Sequence, residues 1–237
     1  MHTIDDFLGG RVRLKQSLTG LRATSDSVLI ASAVRAKSGD TVLDVGIGNG
    51  VISLCLNARI KGLKITGIDC QPDLVDLAQE NAHLNHCDLD LILGDISRQE
   101  SPLHGRQFHH VITNPPFYDE PHPRQNAQLA KAYHQNMALG SWIAYCLKHV
   151  RAKGTFTMMA RPESMIEVLN ALSPKLGSIE VIPIVSKAGE PAKRIIVRGV
   201  MNSRGSLVLR YPLLMHLKNG KRTPFAEKIL RDLADID

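Results

Sequence analysis

Through most of its length, the chain alternates short apolar runs with longer stretches in which apolar residues recur every three to four positions. The short runs are rich in β-branched residues, as in strands that are buried on both faces of a parallel sheet. The predicted strands are residues 41–45, 64–68, 90–93, 110–113, 155–159, 179–185 and 194–200. Helices are predicted from Ser25 to near Gly39, over 51–60, from Pro72, from about 141 to before Gly154, over 162–172 and from near Pro224. This alternation predicts an α/β fold with a Rossmann-like, mostly parallel sheet and helices on both faces.

The first part of the chain differs from the rest because it shows little periodicity. It combines glycines with basic side chains, which are Arg11, Arg13, Lys15 and Arg22. We therefore expect residues 1–24 to form an extended basic arm. Residues 25–237 are predicted to form a single domain that ends in a basic extension of strand and helix.

The composition is that of an ordinary globular protein, because 43% of the 237 residues are hydrophobic and 22% are charged. No run approaches the roughly 18 apolar residues of a membrane span. The first residues show neither the basic start nor the apolar stretch of a secretory signal. The four cysteines are widely spaced, which favours free thiols over a disulfide framework or a zinc site. We therefore expect a cytoplasmic protein without a membrane partner, a bound metal or an obligate protein partner.

The formal net charge of +6 is concentrated in one segment. Residues 187–228 contain ten Lys and Arg against two Asp and Glu, a balance of +8, and the other 19 basic and 21 acidic residues give −2. Such a segment favours a polyanionic partner, because each neutralised phosphate releases counterions. The alternative is a charged face that serves solubility. Lys193, Arg194 and Arg198 are the candidate phosphate contacts.

A glycine-rich turn follows the first predicted strand. Asp44 lies near the end of that strand, the turn 46–50 has the sequence Gly-Ile-Gly-Asn-Gly, and a helix follows. Glycine lets the backbone approach a ligand, and a helix N-terminus offers free N–H groups. A dinucleotide site has Gly-x-Gly-x-x-Gly, whereas this chain has Val51 at the last glycine position. Asp69 follows the second strand, where a carboxylate can accept hydrogen bonds from ribose hydroxyls. These residues favour an adenosyl ligand without a pyrophosphate.

Polar side chains also follow the next two strands. Asp95 is placed to accept a hydrogen bond from an adenine amino group, although alone it would be interpreted as a turn residue. The fourth strand ends in Asn114-Pro115-Pro116-Phe117, where the prolines stop the strand and hold the loop rigid. Asn-Pro also marks plain turns, but ligands of open α/β sheets bind at the carboxyl ends of the strands. We predict that the Asn114 amide, the Pro115 carbonyl and the Phe117 ring bind a flat molecule with an amino group.

The joint pattern of Asp44-x-Gly-x-Gly-x-Gly, Asp69, Asp95 and Asn-Pro-Pro-Phe at successive strand ends resembles the class I S-adenosylmethionine-dependent methyltransferases. The resemblance implies a seven-stranded sheet with an antiparallel last strand. It also implies the cofactor S-adenosyl-L-methionine and the product S-adenosyl-L-homocysteine. The implied cofactor site consists of Ser25, Asp44, Gly46, Gly48, Asn49, Gly50, Asp69, Cys70, Asp95, Ile96 and Asn114.

Three further stretches resemble the bacterial tRNA (adenine-N6)-methyltransferases, namely residues 21–30 (LRATSDSVLI), 189–194 (GEPAKR) and 222–226 (RTPFA). That family modifies the adenosine 3′ to the anticodon of a valine tRNA, so the resemblance implies adenine N6 of a tRNA as the methyl acceptor. Phe117 stands where that family often has Tyr, and Phe also occurs there in guanine-N2 enzymes of ribosomal RNA. Glutamine methyltransferases of release factors share the four-residue motif. Guanine N2 and a glutamine amide are therefore alternative acceptors.

The resemblance also implies a mechanism. An aromatic amine is a poor nucleophile because its lone pair is delocalised into the ring. Hydrogen bonds to the Asn114 side-chain oxygen and the Pro115 carbonyl would favour a tetrahedral nitrogen and free the lone pair for in-line attack on the methyl sulfonium. Phe117 would stack on the base, with Pro116 beside it, and the base must be unstacked to enter the pocket. The basic arm and tail would bind the RNA phosphates.

Overall fold

The computed structural model describes residues 2–18, 22–98, 102–116 and 137–237. Its strands are β1 (His2–Phe7), β2 (Val12–Ser17), β3 (Thr41–Val45), β4 (Lys64–Asp69), β5 (Leu89–Leu93), β6 (Phe108–Thr113), β7 (Val150–Ala160), β8 (Leu176–Lys187), β9 (Ala192–Met201), β10 (Val208–Leu209) and β11 (Leu213–His216). Its α-helices are α1 (Ser25–Ser32), α2 (Val51–Arg59), α3 (Pro72–Leu84), α4 (Leu139–Lys148), α5 (Met165–Leu172) and α6 (Pro224–Arg231). None of these helices combines the length and the apolar character that crossing a membrane requires.

The central sheet has the strand order β5-β4-β3-β6-β7-β9-β8. Strand β9 is antiparallel to β7 and β8, and the other neighbours in this set are parallel. The predicted seven-stranded, mostly parallel sheet with an antiparallel last strand is therefore confirmed. Two short strands, β10 and β11, also pair with β8 and extend the sheet at that edge. Strand β3 lies between β4 and β6, so the direction of winding changes there, and ligands bind at such switch points.

The apolar strands are covered on both faces, as their sequences predict. Neighbouring residues of β3 illustrate this arrangement, because Val42 and Leu43 are both fully buried but belong to different apolar clusters. The cluster of Val42 includes residues of α1, α2 and α6, whereas that of Leu43 includes residues of α4 and α5. The predicted layers of helix on both sides of the sheet are therefore present.

The N-terminal segment forms a β-hairpin, so the predicted extended arm is wrong. Strands β1 and β2 pair in antiparallel fashion, and Leu8, Val12 and Leu14 are buried against the body of the protein. The side-chain amides of Asn81 on α3 and of its C-cap residue Asn85 exchange hydrogen bonds of 2.7 to 3.0 Å with backbone groups of β2. These amides satisfy an edge that would otherwise face solvent. The boundary predicted after residue 24 stays a prediction.

Helix α1 ends at Ser32 rather than near Gly39, where the sequence predicts its end. The carbonyl group of Ala33, just past the helix, accepts a hydrogen bond of 2.9 Å from Arg198 Nη1. The backbone oxygen of Ser32 accepts one of 3.2 Å from the N–H of Ile236. Since distant donors satisfy these oxygens, the chain can leave the helix early without burying unpaired groups.

Candidate active site

A crevice lies at the carboxyl ends of β3, β4 and β5, beside α4. Among the described residues, its lining consists of Gly46, Ile68, Asp69, Cys70, Gly94, Asp95, Ile96, Ser97, Met137 and Trp142. The structure therefore brings together five predicted cofactor residues, which are Gly46, Asp69, Cys70, Asp95 and Ile96. They come from separate parts of the sequence and meet because parallel strands end at the same edge of a sheet.

Asp44 is fully buried near the end of β3, one residue before the last of that strand. Its Oδ2 accepts a hydrogen bond of 2.7 Å from Ser53 Oγ, whereas its Oδ1 has no hydrogen-bond partner in the described part of the chain. Burial raises the pKa of Asp44 to about 7, and the charge of Asp69 adds to the increase. A buried carboxylate that lacks a partner is costly, and a cationic ligand would reduce that cost.

The glycine-rich turn adopts a conformation that side chains would hinder. Gly46 has a φ of 74°, and a Cβ built there would lie 3.2 Å from Trp142 Cζ2. Gly48 has a φ of 57°, and its N–H donates a hydrogen bond of 3.0 Å to Asp69 Oδ2. The turn therefore contacts the indole on one side and the carboxylate of Asp69 on the other. Glycine meets both the conformational and the steric requirement at Gly46.

Asp69 is buried at the end of β4, and its two oxygens are oriented by backbone donors. Besides the bond from Gly48, Oδ1 accepts a hydrogen bond of 3.0 Å from the N–H of Gln71. Burial, with the charges of Asp69 and Asp95, raises the pKa of the neighbouring Cys70 thiol to about 11. Cys70 is therefore a neutral thiol at physiological pH, and it can contribute packing and a weak hydrogen bond to this site.

Asp95 is both a residue of the crevice and a turn residue, the two interpretations that its sequence position allows. It lines the crevice, and its Oδ1 also accepts hydrogen bonds from the N–H and the hydroxyl group of Ser97, at 2.9 and 2.7 Å. The turn contact fixes one carboxylate oxygen through local geometry. This contact holds one oxygen of Asp95 in place at the crevice.

The predicted amine-binding motif begins where β6 ends. Thr113 pairs with Val45 of β3. Asn114 follows Thr113 and Gly46 follows Val45, so Asn114 and Gly46 lie beside each other. The side-chain oxygen Oδ1 of Asn114 is buried, and within the described residues it has no hydrogen-bond partner. Pro115 is buried and Pro116 is partly buried, whereas Phe117 lies outside the described residues. Its predicted stacking role therefore stays a prediction.

Six predicted cofactor residues do not line this crevice within the described parts of the chain, namely Ser25, Asp44, Gly48, Asn49, Gly50 and Asn114. Ser25 is exposed at the first position of α1. Asn49 Oδ1 accepts a long hydrogen bond of 3.4 Å from the N–H of Val51. Gly50 is the N-cap of α2. In this structure, Asn49 and Gly50 shape the turn and the start of α2, and a direct role for any of the six in binding a cofactor stays a prediction.

Arg198 is not a surface cation, which corrects its assignment as a phosphate contact. Its side chain is 5% exposed, and Nη2 pairs with Glu180 Oε2 at 2.9 Å and with Asp237. A guanidinium that already binds carboxylates cannot reach a phosphate without breaking buried ion pairs. By contrast, Lys193 is exposed, and Arg194 is partly exposed and pairs with Asp26 at 3.3 Å.

The crevice includes residues that the sequence does not identify as functional. Trp142 is the clearest case, because it is buried, lines the crevice and contacts both Thr113 and Gly46. The helical stripe of α4 predicts only that this indole packs on the sheet. Its contact with the glycine-rich turn depends on how α4 lies across β3 and β6. The other lining residues not predicted are Ile68, Gly94, Ser97 and Met137.

The arrangement fits S-adenosylmethionine, whose groups include a sulfonium, an ammonium, ribose hydroxyls and an adenine amino group. The crevice combines the carboxylates of Asp69 and Asp95 with a glycine turn, and Asp44 has a buried oxygen that needs a donor. The lining residues within the described ranges include no Lys or Arg that would oppose a cationic ligand. We therefore infer that these residues would hold the cofactor. The described residues contain no cluster suited to a metal ion, and the expected lack of a metal stays a prediction.

Similarity to known sequences extends over most of the chain. Residues 22–184 match the family model described as methyltransferase small domain. A tRNA1(Val) (adenine(37)-N6)-methyltransferase of Shewanella baltica is 27% identical over 185 residues, which cover 75% of this chain and 76% of that protein. The release factor glutamine methyltransferase of Escherichia coli is 39% identical over 83 residues, which cover 35% of this chain and 29% of that enzyme.

The solved structures support the same fold. A protein of Agrobacterium tumefaciens, described as a predicted O-methyltransferase, superposes with a TM-score of 0.74 and 24% identity, covering 88% of this chain and 97% of that chain. At this identity the likeness shows the fold alone. The family model, however, matches well over half of the 237 residues. The chain therefore belongs to the methyltransferase small domain family, and it is an S-adenosylmethionine-dependent methyltransferase.

Proposed function

We propose that this enzyme methylates an exocyclic amino group of a base in structured RNA, namely adenine N6 of a tRNA. The observation that carries the proposal is the buried, unpaired Oδ1 of Asn114 beside the cofactor crevice. Leaving such an acceptor without a donor costs about 1–3 kcal/mol. An amino group that donates an N–H to this oxygen recovers that cost and is held next to the cofactor.

The chain's own residues position and activate the amine. The cofactor supplies an electrophilic methyl group on its sulfonium. Asn114 Oδ1 and the Pro115 carbonyl accept hydrogen bonds from the amino group, which favours a tetrahedral nitrogen and exposes its lone pair. The prolines fix both acceptors because their φ angles are restricted. Phe117 and Pro116 orient the plane of the base. A strong general base is not required, because the nitrogen becomes acidic once it is methylated.

An RNA substrate is supported by the position of exposed lysines relative to the crevice. Strand β8 is antiparallel to β9, which is antiparallel to β7, so β8 runs in the same direction as β3 and β6. The end of β8 and the start of β9 therefore lie at the same edge of the sheet as Asn114. Lys187 and Lys193 occupy these positions, and both are exposed.

A tight turn adds two more cations to this edge. His216 of β11 is paired with Lys187, so the residues that follow β11 lie beside the end of β8. The backbone N–H of Leu217 donates to the carbonyl of Lys221 at 2.8 Å, which closes a turn that exposes Lys218 and Lys221. We call the exposed set Lys187, Lys193, Lys218 and Lys221 the lysine edge. Within the described chain these lysines form no ion pairs, so they are available to phosphates.

The similarity to known enzymes supports tRNA over other acceptors. The relative from Shewanella baltica acts on a tRNA adenine, according to its name, and it matches along three quarters of this chain. A glutamine amide of a release factor is the second candidate. It is favoured by the higher local identity of 39% to the release factor enzyme, but that match covers only 83 residues. The lysine edge suits a polyanion better than a protein surface.

Transfer of a labelled methyl group tests the proposal directly. The enzyme is incubated with methyl-labelled cofactor and, separately, with total tRNA, ribosomal RNA and purified release factor, and the products are digested and identified. We expect N6-methyladenosine in the tRNA fraction, and an initial rate of labelling about 10²-fold or more lower with Asn114→Ala at the same protein concentration. N2-methylguanosine in ribosomal RNA or methylglutamine in the release factor would replace the proposed acceptor. Labelling at the wild-type rate with Asn114→Ala would remove Asn114 from the mechanism.

A further inference from the structure

The distance between the cofactor turn and the amine-binding motif is set where two strands separate. Val45 and Thr113 form the last pair of the ladder between β3 and β6. Beyond it, the chain continues on one side as Gly46 and on the other as Asn114. Because the regular ladder ends at this pair, contacts other than its hydrogen bonds must hold Gly46 and Asn114 at a fixed separation.

The buried side chain of Trp142 contacts residues on both sides, at the end of β6 and just after β3. The indole Nε1 of Trp142 donates a hydrogen bond of 2.9 Å to Thr113 Oγ1, which in turn donates one of 2.8 Å to the carbonyl of Val45. The far edge of the same indole packs against Gly46, where a Cβ would lie 3.2 Å from Cζ2 and 3.3 Å from Cη2. Trp142 is 3% exposed, and Thr113 is fully buried.

We propose that Trp142, bonded through Thr113, is a positioning residue for methyl transfer. It fixes the glycine turn that holds the methyl donor relative to Asn114, which holds the acceptor. The proposal rests on the role of Asn114 given under Proposed function. The indole supplies no proton and no charge to the reaction. Its contribution is the relative placement of two groups that must approach in line, and rates are sensitive to misplacements of about 1 Å.

The donors and acceptors in the hydrogen bonds of Thr113 can be arranged in only one way. The hydroxyl group of Thr113 has one proton, which goes to Val45, and it accepts the indole N–H with an oxygen lone pair. The direction of each bond is therefore determined. Removing the hydroxyl breaks the link between α4 and β6 as well as the link between β6 and β3, while the volume of the side chain can be kept.

The variant pair Thr113→Val and Thr113→Ser tests the proposal at a residue that does not line the crevice. Valine keeps the shape and removes the hydroxyl, whereas serine keeps the hydroxyl and loses a methyl group. We expect Thr113→Val to lower kcat by about tenfold or more, as misplaced reactants do. Thr113→Ser should retain most of the turnover.

Cofactor affinity separates positioning from a loss of binding. Trp142 is the only tryptophan of the chain and lies in the crevice, so its fluorescence reports titration with S-adenosylhomocysteine. We expect the dissociation constant and the RNA KM of Thr113→Val to stay within about twofold of wild type, because the crevice residues are unchanged. Wild-type kcat in Thr113→Val, or an equal loss in Thr113→Ser, would overturn the proposal.

Hydrogen exchange provides a measurement that needs no RNA. With S-adenosylhomocysteine bound, Thr113→Val should exchange faster than wild type at residues 46–50 and at the two amides of the 113–116 segment, those of Thr113 and Asn114, and Thr113→Ser should not. If wild type methylates none of the tested substrates, the proposed acceptor fails while this measurement still decides the positioning role. Exchange at both segments that is equal in Thr113→Val and wild type would contradict that role.

Discussion

The active-site crevice and the cluster around Arg198 both bury charged or polar groups, but they differ in how those groups are satisfied. In the first region, Asp44 Oδ1 and Asn114 Oδ1 are buried, and the described residues provide no partner for either. In the second, the Arg198 guanidinium binds Glu180, Asp237 and the carbonyl of Ala33. Among its nitrogens, only Nε has no partner in the described part of the chain.

The carboxylates of the two regions also differ in the direction of their pKa shifts. Burial raises the pKa of Asp44, because no cation compensates for the lost hydration. Burial acts in the same direction on Glu180, but the hydrogen bond and charge of Arg198 outweigh it, so the pKa of Glu180 lies below its usual value. The hydrogen bond from Arg35, assisted by Arg198, lowers the pKa of Asp237. Thus the carboxylates around Arg198 are balanced by cations of the fold, whereas the carboxylate of Asp44 has no such cation.

The largest effect should follow from removing the incomplete acceptor. Asn114→Ala should lower kcat by about 10²–10³-fold, the range seen when one preorganised hydrogen-bonding group is removed. The free energy of unfolding should not fall, because the lost oxygen has no partner in the described fold. Single-turnover kinetics and urea unfolding on the same preparation measure both quantities. A variant that loses stability but keeps its turnover would reverse the assignment of this region.

Replacing Arg198 should lower stability and leave turnover unchanged, the opposite of the result expected for Asn114→Ala. Arg198→Met removes the buried partner of Glu180 and leaves it with the exposed Arg35 and Arg210, so we expect a loss of about 2 kcal/mol in the free energy of unfolding. The turnover of the folded fraction should not change, because Arg198 lies away from the crevice. Lys193→Met is the matched control, since it removes one positive charge from an exposed site of the same strand and should alter stability by less than about 0.5 kcal/mol. Equal losses in both variants would contradict a structural role for Arg198.

The pH dependence of cofactor binding tests the state of Asp44. The ammonium group of S-adenosylhomocysteine favours the ionised carboxylate, so with a pKa of about 7 the affinity for this ligand should rise about tenfold from pH 6 to pH 8. Trp142 fluorescence measures this affinity, and Asp44→Asn should remove the dependence on pH. An affinity that does not vary in wild type would place Asp44 outside the binding equilibrium.

The raised pKa of Asp44 also predicts the direction in which stability changes with pH. The pKa of Asp44 is raised from 3.8 to about 7, so between these values the folded protein holds a proton that the unfolded chain has lost. The contribution of Asp44 to the stability of the cofactor-free protein should therefore fall as the pH rises through this window and be constant above it. Thermal unfolding of wild type and Asp44→Asn between pH 5 and pH 8 measures this contribution.

The sequence predicts most of the crevice because its chemistry is local. Asp44, the glycine spacing and Asp69 each follow a recognisable strand, and parallel strands necessarily end together. The role of Trp142 could not be predicted, since it depends on the orientation of α4. The assignment of Arg198 was wrong for a similar reason. A register shift in β8 between Gly177 and Glu180 places Glu180 opposite Arg198, and a count of charges contains no information on pairing across strands.

The N-terminal hairpin shows the same limit at the level of the fold. Val12 and Leu14 alternate with basic residues, a pattern that favours a strand, but nothing in the local sequence identifies a pairing partner, so an extended arm was expected. The hairpin is determined by tertiary contacts, among them the amide groups of Asn81 and Asn85. The seven central strands were predicted correctly because each is a run of apolar residues that local sequence identifies.

The smallest effect is expected at the lysine edge, where solvent already satisfies the charges. Replacing Lys218 and Lys221 with Ala should weaken RNA binding several-fold at low salt and lower the slope of log affinity against log salt by about two, because each phosphate contact contributes about 0.9. Filter binding at increasing salt measures the slope. The matched control replaces Lys37 and Lys61, which are exposed near the opposite edge of the sheet, before β3 and β4. If both pairs change the slope equally, net charge alone attracts the RNA, and the position of the lysine edge has no role. If only the replacement of Lys218 and Lys221 lowers the slope, the exposed cations of the basic segment bind phosphate. The buried Arg198 of the same segment then has a structural role alone.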